Sequence, residues 1–128
     1  MNKNQFLKLL RKEEALQSEN RSLSKINKSE YSELIGYRIV LQKQHFYHNR
    51  SQYIDLVGKC IHGEINCYAF QWDFSEIFLN DLETFDKLMK KISRYGINGE
   101  MNFHHDPKIE NFFSLVDDNL VPMCEFLD

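Results

Sequence analysis

Carboxylates crowd one stretch of the chain: Asp73, Glu76, Asp81, Glu83 and Asp86. Paired acids of this kind can do acid–base chemistry, but only when burial holds one of them protonated at neutral pH. The neighbours here are polar, which predicts solvent exposure and a charged helix face rather than a catalytic pair. His104, His105 and Asp106 form a second cluster. Adjacent histidines bind metals when a third or fourth ligand completes the geometry, and nothing at metal-ligand spacing joins them. His45 and His48, three apart at a helix end, carry no more. Cys60 and Cys67 flank a turn that folds their helices together. A nucleophilic cysteine needs a histidine that lowers its pKa or takes its proton, and His62, in that turn, belongs to no triad. These cysteines are read as buried free thiols. Tyr68 and Trp72, four apart on one helix face, suit core or hairpin packing better than a base-stacking platform. The five glycines never fall in GxGxxG or GxxxxGK order, so no phosphate-binding loop is present. The residue types therefore point away from an enzyme and imply no metal and no cofactor.

The elements that must position these residues are helical. Tyr53, Ile54, Val57 and Ile61 recur at spacings of three and four, as an apolar stripe does. Gly63 can take the left-handed conformation that ends a helix. Asn66 is a suitable N-cap, and Ile65 and Phe70 stand at the spacing of a hydrophobic staple around it. Phe70, Phe74, Ile77 and Phe78 then share one side of a second helix. Two helices joined by so short a turn, His62–Ile65, should run antiparallel as neighbours.

On either side the pattern continues. Asn27 or Ser29 caps a helix carrying Tyr31, Leu34, Ile35, Ile39, Leu41 and Phe46, and His45–Arg50 should break it. Asn80 or Asp81 should cap a further helix with Leu82, Phe85, Leu88, Met89 and Ile92 inward, ended by Gly96. Lys87, Lys90, Lys91 and Arg94 suit the negative end of that helix. Residues 97–107 read as a polar loop, in which Gly99–Phe103 is the least helical part. Pro107 can open a last helix with Ile109, Phe112, Phe113 and Val116 inward, and Val121–Leu127 should be a short separate turn. Residues 1–28 read as a basic extension with a thin stripe of Phe6, Leu9, Leu10 and Leu16. Residues 29–128 read as the bundle domain. The expected fold is all-α, an antiparallel up-and-down bundle of four to five helices.

At 128 residues the chain suits one domain with a real core. Its net charge of −3 conceals an asymmetry. Residues 1–50 hold ten Lys/Arg against five Asp/Glu, and residues 51–128 hold six against fourteen. The acidic part suits a basic protein partner. A direct nucleic-acid contact would need the N-terminal third, which carries no recognisable binding motif. Three cysteines without paired spacing, no secretory signal and no long apolar run predict reduced thiols in a cytosolic or organelle-matrix compartment, with no membrane insertion.

The runs Tyr53-Ile54-Asp55-Leu56-Val57 and Gly63-Glu64-Ile65, followed by Phe70 and Phe74, resemble the colicin D-type immunity proteins. The later Phe112–Asp118 segment resembles that family's aromatic and acidic C-terminal helix. The likeness spans about Gln52–Asp128 and extends to similar plastid-encoded reading frames. It implies a compact helical bundle acting as a stoichiometric inhibitor of a tRNA-cleaving toxin, in the cytoplasm or plastid stroma. Carboxylates would stand where substrate phosphates bind, which suits a strongly basic nuclease site. The residues available for that role are Asp73, Glu76, Asp81, Glu83, Asp86, Asp117 and Asp118. The alternative is an assembly subunit of a larger organellar or bacterial complex, anchored by its basic N-terminal arm.

Overall fold

The computed structural model describes residues 2–97, 103 and 106–121, and these form an all-α fold with no strand among them. The helices are α1 (Lys3–Ser18), α2 (Leu23–Ile26), α3 (Lys28–His48), α4 (Arg50–Ile61), α5 (Cys67–Tyr95) and α6 (Pro107–Leu115). A π-helical turn, Val116–Leu120, continues α6. The histidine pair His104-His105, nearly all of Gly99–Phe103 and of Val121–Leu127, and Cys124 lie outside the described residues. No helix among the described residues is long and apolar enough to cross a membrane.

The chain divides into two compact units. The first comprises residues 1–42 and 86–104, and the second comprises residues 43–85 and 105–128.

In the first unit the N-terminal segment is part of the core rather than an appended extension. Phe6, Leu9 and Leu10 of α1 are buried, as are Leu23, Leu34, Tyr37, Leu41, Met89 and Ile92. The Phe6 ring meets Tyr37 at 5.5 Å and Phe103 at 5.6 Å between centroids. Burying three large side chains of one short helix is worth several kcal/mol, which is why residues 1–28 do not hang free. Polar ties reinforce the packing. Lys12 Nζ donates to Glu30 at 2.7 Å, and Arg11 Nε donates to the Ser93 carbonyl at 2.8 Å. Arg38 pairs with the buried Glu13, and Ser93 bonds Glu14. In α3 the inward row is Leu34, Tyr37 and Leu41, while Ile39 is exposed. Asn27 starts α3: its side chain accepts from Glu30 N–H at 3.1 Å and donates to the Glu30 carboxylate at 2.6 Å.

The second unit is built around an aromatic core of Phe46, Tyr53, Leu56, Phe70, Phe74 and Val116, with Ile77, Phe78, Phe112 and Phe113 packed against it. The turn between α4 and α5 forms as its residues predict. Gly63 has φ +72°, and Glu64 N–H reaches back to the Lys59 carbonyl at 2.9 Å, closing the helix end. Asn66 Oδ1 accepts from Ala69 N–H at 2.8 Å, and Ile65 packs on the core that holds Phe70. Asn66→Ala should therefore cost about 1 kcal/mol in a urea titration.

Two expectations about these helices are corrected. The stripe of α4 faces inward through Tyr53 and Leu56, while Ile54 and Ile61 are exposed. No break occurs at Asn80 or Asp81. The segment from Cys67 to Tyr95 is one helix of 29 residues, because no Gly or Pro interrupts it and its apolar row keeps one helical phase from Phe70 to Ile92. Pro107 opens α6 as expected, and Asp106 caps it, its Oδ1 accepting from Lys108 N–H at 2.9 Å.

Candidate functional site

Residues of both α4 and α5, most of them polar, line a shallow, open groove of ≈ 330 Å³. Helix α4 supplies Gln52, Asp55, Leu56 and Lys59, and α5 supplies Asp73, Glu76 and Ile77. The side chains recur at spacings of three and four on each helix, so one face of each borders the groove. Leu56 and Ile77 are its apolar part. Three carboxyl groups, of Asp55, Asp73 and Glu76, share this lining with one cation, Lys59. All four are exposed.

Of the acidic residues predicted from sequence, Asp73 and Glu76 are brought together here. Glu83 is exposed farther along α5 in the same unit. Asp86 is exposed but belongs to the first unit. Asp117 and Asp118 are exposed on the π-helical turn and do not line the groove. Asp55 and Lys59 were not anticipated as site residues. The sequence did carry a sign of them, since Gln52, Asp55 and Lys59 form a polar row at helical spacing.

Asp81 corrects the prediction of a charged surface residue, for it is only 1 % exposed. Its carboxyl accepts from Tyr53 Oη at 2.5 Å and from Asn49 Nδ2 at 3.1 Å. Asn49, the residue between α3 and α4, is thus tied to the middle of α5, and so is the centre of α4. Nearby, His45 Nε2 lies 3.0 Å from Thr84 Oγ1. Burial, the hydrogen bond to Asp81 and the charge of Asp81, in that order, hold the Tyr53 hydroxyl well above the ordinary tyrosine range. An interior carboxyl satisfied in this way is a structural clamp. It offers nothing to a partner.

Tyr68 and Trp72 are also corrected. They do not pack in the core: they are 66 % and 64 % exposed, with ring centroids 6.3 Å apart in an edge-on arrangement. Cys60 is half-buried and Cys67 is exposed, both as free thiols. Among the described residues no group of three or more His, Cys, Asp or Glu side chains is placed to hold a metal ion.

No family model, curated protein or solved structure matches this chain.

Proposed function

We propose that the protein is a non-enzymatic binding module that holds a basic protein partner against the acidic side of its α4–α5 pair. The observation that carries this reading is the open groove lined by Asp55, Asp73 and Glu76 with Lys59 as its one cation. Exposed carboxyl groups so placed attract a cationic surface and speed its approach. The resemblance of Gln52–Asp128 to colicin D-type immunity proteins extends the reading to an inhibitor of a tRNA-cleaving enzyme, its carboxyl groups occupying positions otherwise taken by phosphates. Such a protein would act in the cytoplasm or the plastid stroma. Anchoring of the chain by residues 1–28 has less support, because Phe6, Leu9 and Leu10 are committed to the interior of the first unit.

The test is affinity capture with carboxyl-to-amine crosslinking, run on the wild type and on Asp73→Lys/Glu76→Lys. Both positions are exposed, so folding should be unaffected. The reading expects crosslinks at Asp55, Asp73 and Glu76. It also expects an association rate at least about tenfold lower in the variant and falling with salt. Capture that charge reversal leaves untouched overturns it.

A further inference from the structure

Helix α5 presents an apolar ridge that the acidic-groove reading does not use. Tyr68, Trp72 and Leu79 are 66 %, 64 % and 62 % exposed. At 3.6 residues per turn their side chains fall within roughly 40° of arc and extend over about 16 Å of helix. Large side chains left in water singly need no explanation, but three in one row on one helix form a face. Glu76 and Glu83 lie on one flank of this row at helical spacing, and Asp73 lies beyond them. Tyr68, Trp72, Leu79 and these carboxyl groups all belong to the second unit.

The charge around the ridge selects its occupant. From α4 through the turn to Phe85, the exposed charged side chains are the acids Asp55, Glu64, Asp73, Glu76 and Glu83 against the cations Arg50 and Lys59. The same ridge of a second copy would set these carboxyl groups against one another, which disfavours self-pairing. A partner with an apolar row of its own and cations beside it would satisfy both parts of the surface. A straight ridge three turns long matches an α-helix, whose side chains repeat at the same spacing.

We infer that the Tyr68–Trp72–Leu79 ridge is a docking face for a basic amphipathic helix of another protein, with that helix's Lys or Arg side chains set against Glu76, Glu83 and Asp73. The inference rests on the basic-partner reading and specifies the partner's contact element. The aromatic faces of Trp72 and Tyr68 also suit stacking by arginine. The ridge supplies burial, and the carboxyl groups supply orientation and rate.

Trp72 is the only tryptophan in the chain, so its emission reports directly on this face. The experiment titrates the full chain with a synthetic 14-residue amphipathic helix of Leu and Lys. Matched peptides carry Leu with Glu, or Ser with Lys. The Leu/Lys peptide should give a saturable blue shift, weakened about tenfold or more in Leu79→Asp and in Glu76→Lys/Glu83→Lys. Both variants change exposed positions only. The Leu/Glu and Ser/Lys peptides should give little shift. No saturable shift, or an equal shift in Leu79→Asp, overturns the inference. So does a blue shift that grows with protein concentration alone, which would mean that a second copy covers the ridge. If Ser/Lys binds as tightly as Leu/Lys, the ridge falls while the basic-partner reading stands. If Glu76→Lys/Glu83→Lys leaves Leu/Lys binding unchanged, the charge argument behind this docking face falls, and the crosslinking experiment decides the groove separately.

Discussion

Asp81→Ala should destabilise the protein by about 3 kcal/mol in urea unfolding, a large effect for one residue. The substitution leaves the buried Tyr53 hydroxyl without its acceptor and takes one from the half-buried Asn49 amide. Each orphaned group costs about 1–3 kcal/mol, partly offset because the acid itself no longer has to be buried. Tyr53→Phe should cost less, about 2 kcal/mol, since Asp81 keeps its bond from Asn49. The double variant should fall short of the sum of the single losses by about 1 kcal/mol or more, because the second change removes a group that the first had already stranded. Strict additivity would mean that the two side chains do not act together.

The same pair fixes a pH dependence. The folded state holds the Tyr53 proton more tightly than the unfolded chain does, so the folded pKa lies above the unfolded value. The contribution is complete below the unfolded tyrosine pKa of about 10. It is lost progressively as pH rises past that point toward the folded pKa, because the unfolded state then releases a proton that the folded state keeps. Between pH 8 and 11 the urea midpoint of the wild type should fall more steeply than that of Tyr53→Phe. Parallel curves would contradict the buried contact. The comparison with Tyr53→Phe removes the contribution of the other tyrosines.

Phe74→Ala is the second large loss, about 4 kcal/mol. Phe74 is 1 % exposed. Its ring lies 6.1 Å from Phe70 and 5.8 Å from Phe78 along α5, nearly parallel to both, and 5.7 Å from Tyr53 of α4. Truncation removes the buried ring and leaves a void that three rigid aromatic neighbours cannot close, so both the transfer and the cavity costs are felt. Phe74→Leu should recover most of the loss. Tyr68→Ala, on the exposed face of the same helix, should change stability by no more than about 0.5 kcal/mol. Equal losses at positions 68 and 74 in urea titrations would mean that the inward face of α5 is wrongly assigned.

Most of the helices and several of their ends were readable from local chemistry. Gly63 with its positive φ, the Asn66 and Asn27 caps and Asp106-Pro107 each stop or start a helix by satisfying backbone groups within a few residues. The stripe Phe70–Phe74–Ile77–Phe78 follows from the 3.6-residue repeat alone. Asp73 and Glu76 fall outside that stripe and are exposed.

Periodicity constrains which residues share a face. It does not say which face another helix will cover. Ile54, Ile61, Tyr68 and Trp72 are all apolar enough for a core, yet they lie where no described helix packs against them. Asp81 looks like a cap or a surface charge in the sequence, and becomes an interior acceptor only because Tyr53 and Asn49, 28 and 32 positions away, arrive beside it. Asn80-Asp81 also lies inside a single long helix, where short-range preference alone would have ended one. Burial and pairing are properties of elements brought together from distant parts of the chain, so a rule that sees four residues at a time marks the helices and leaves open which of their sides will meet.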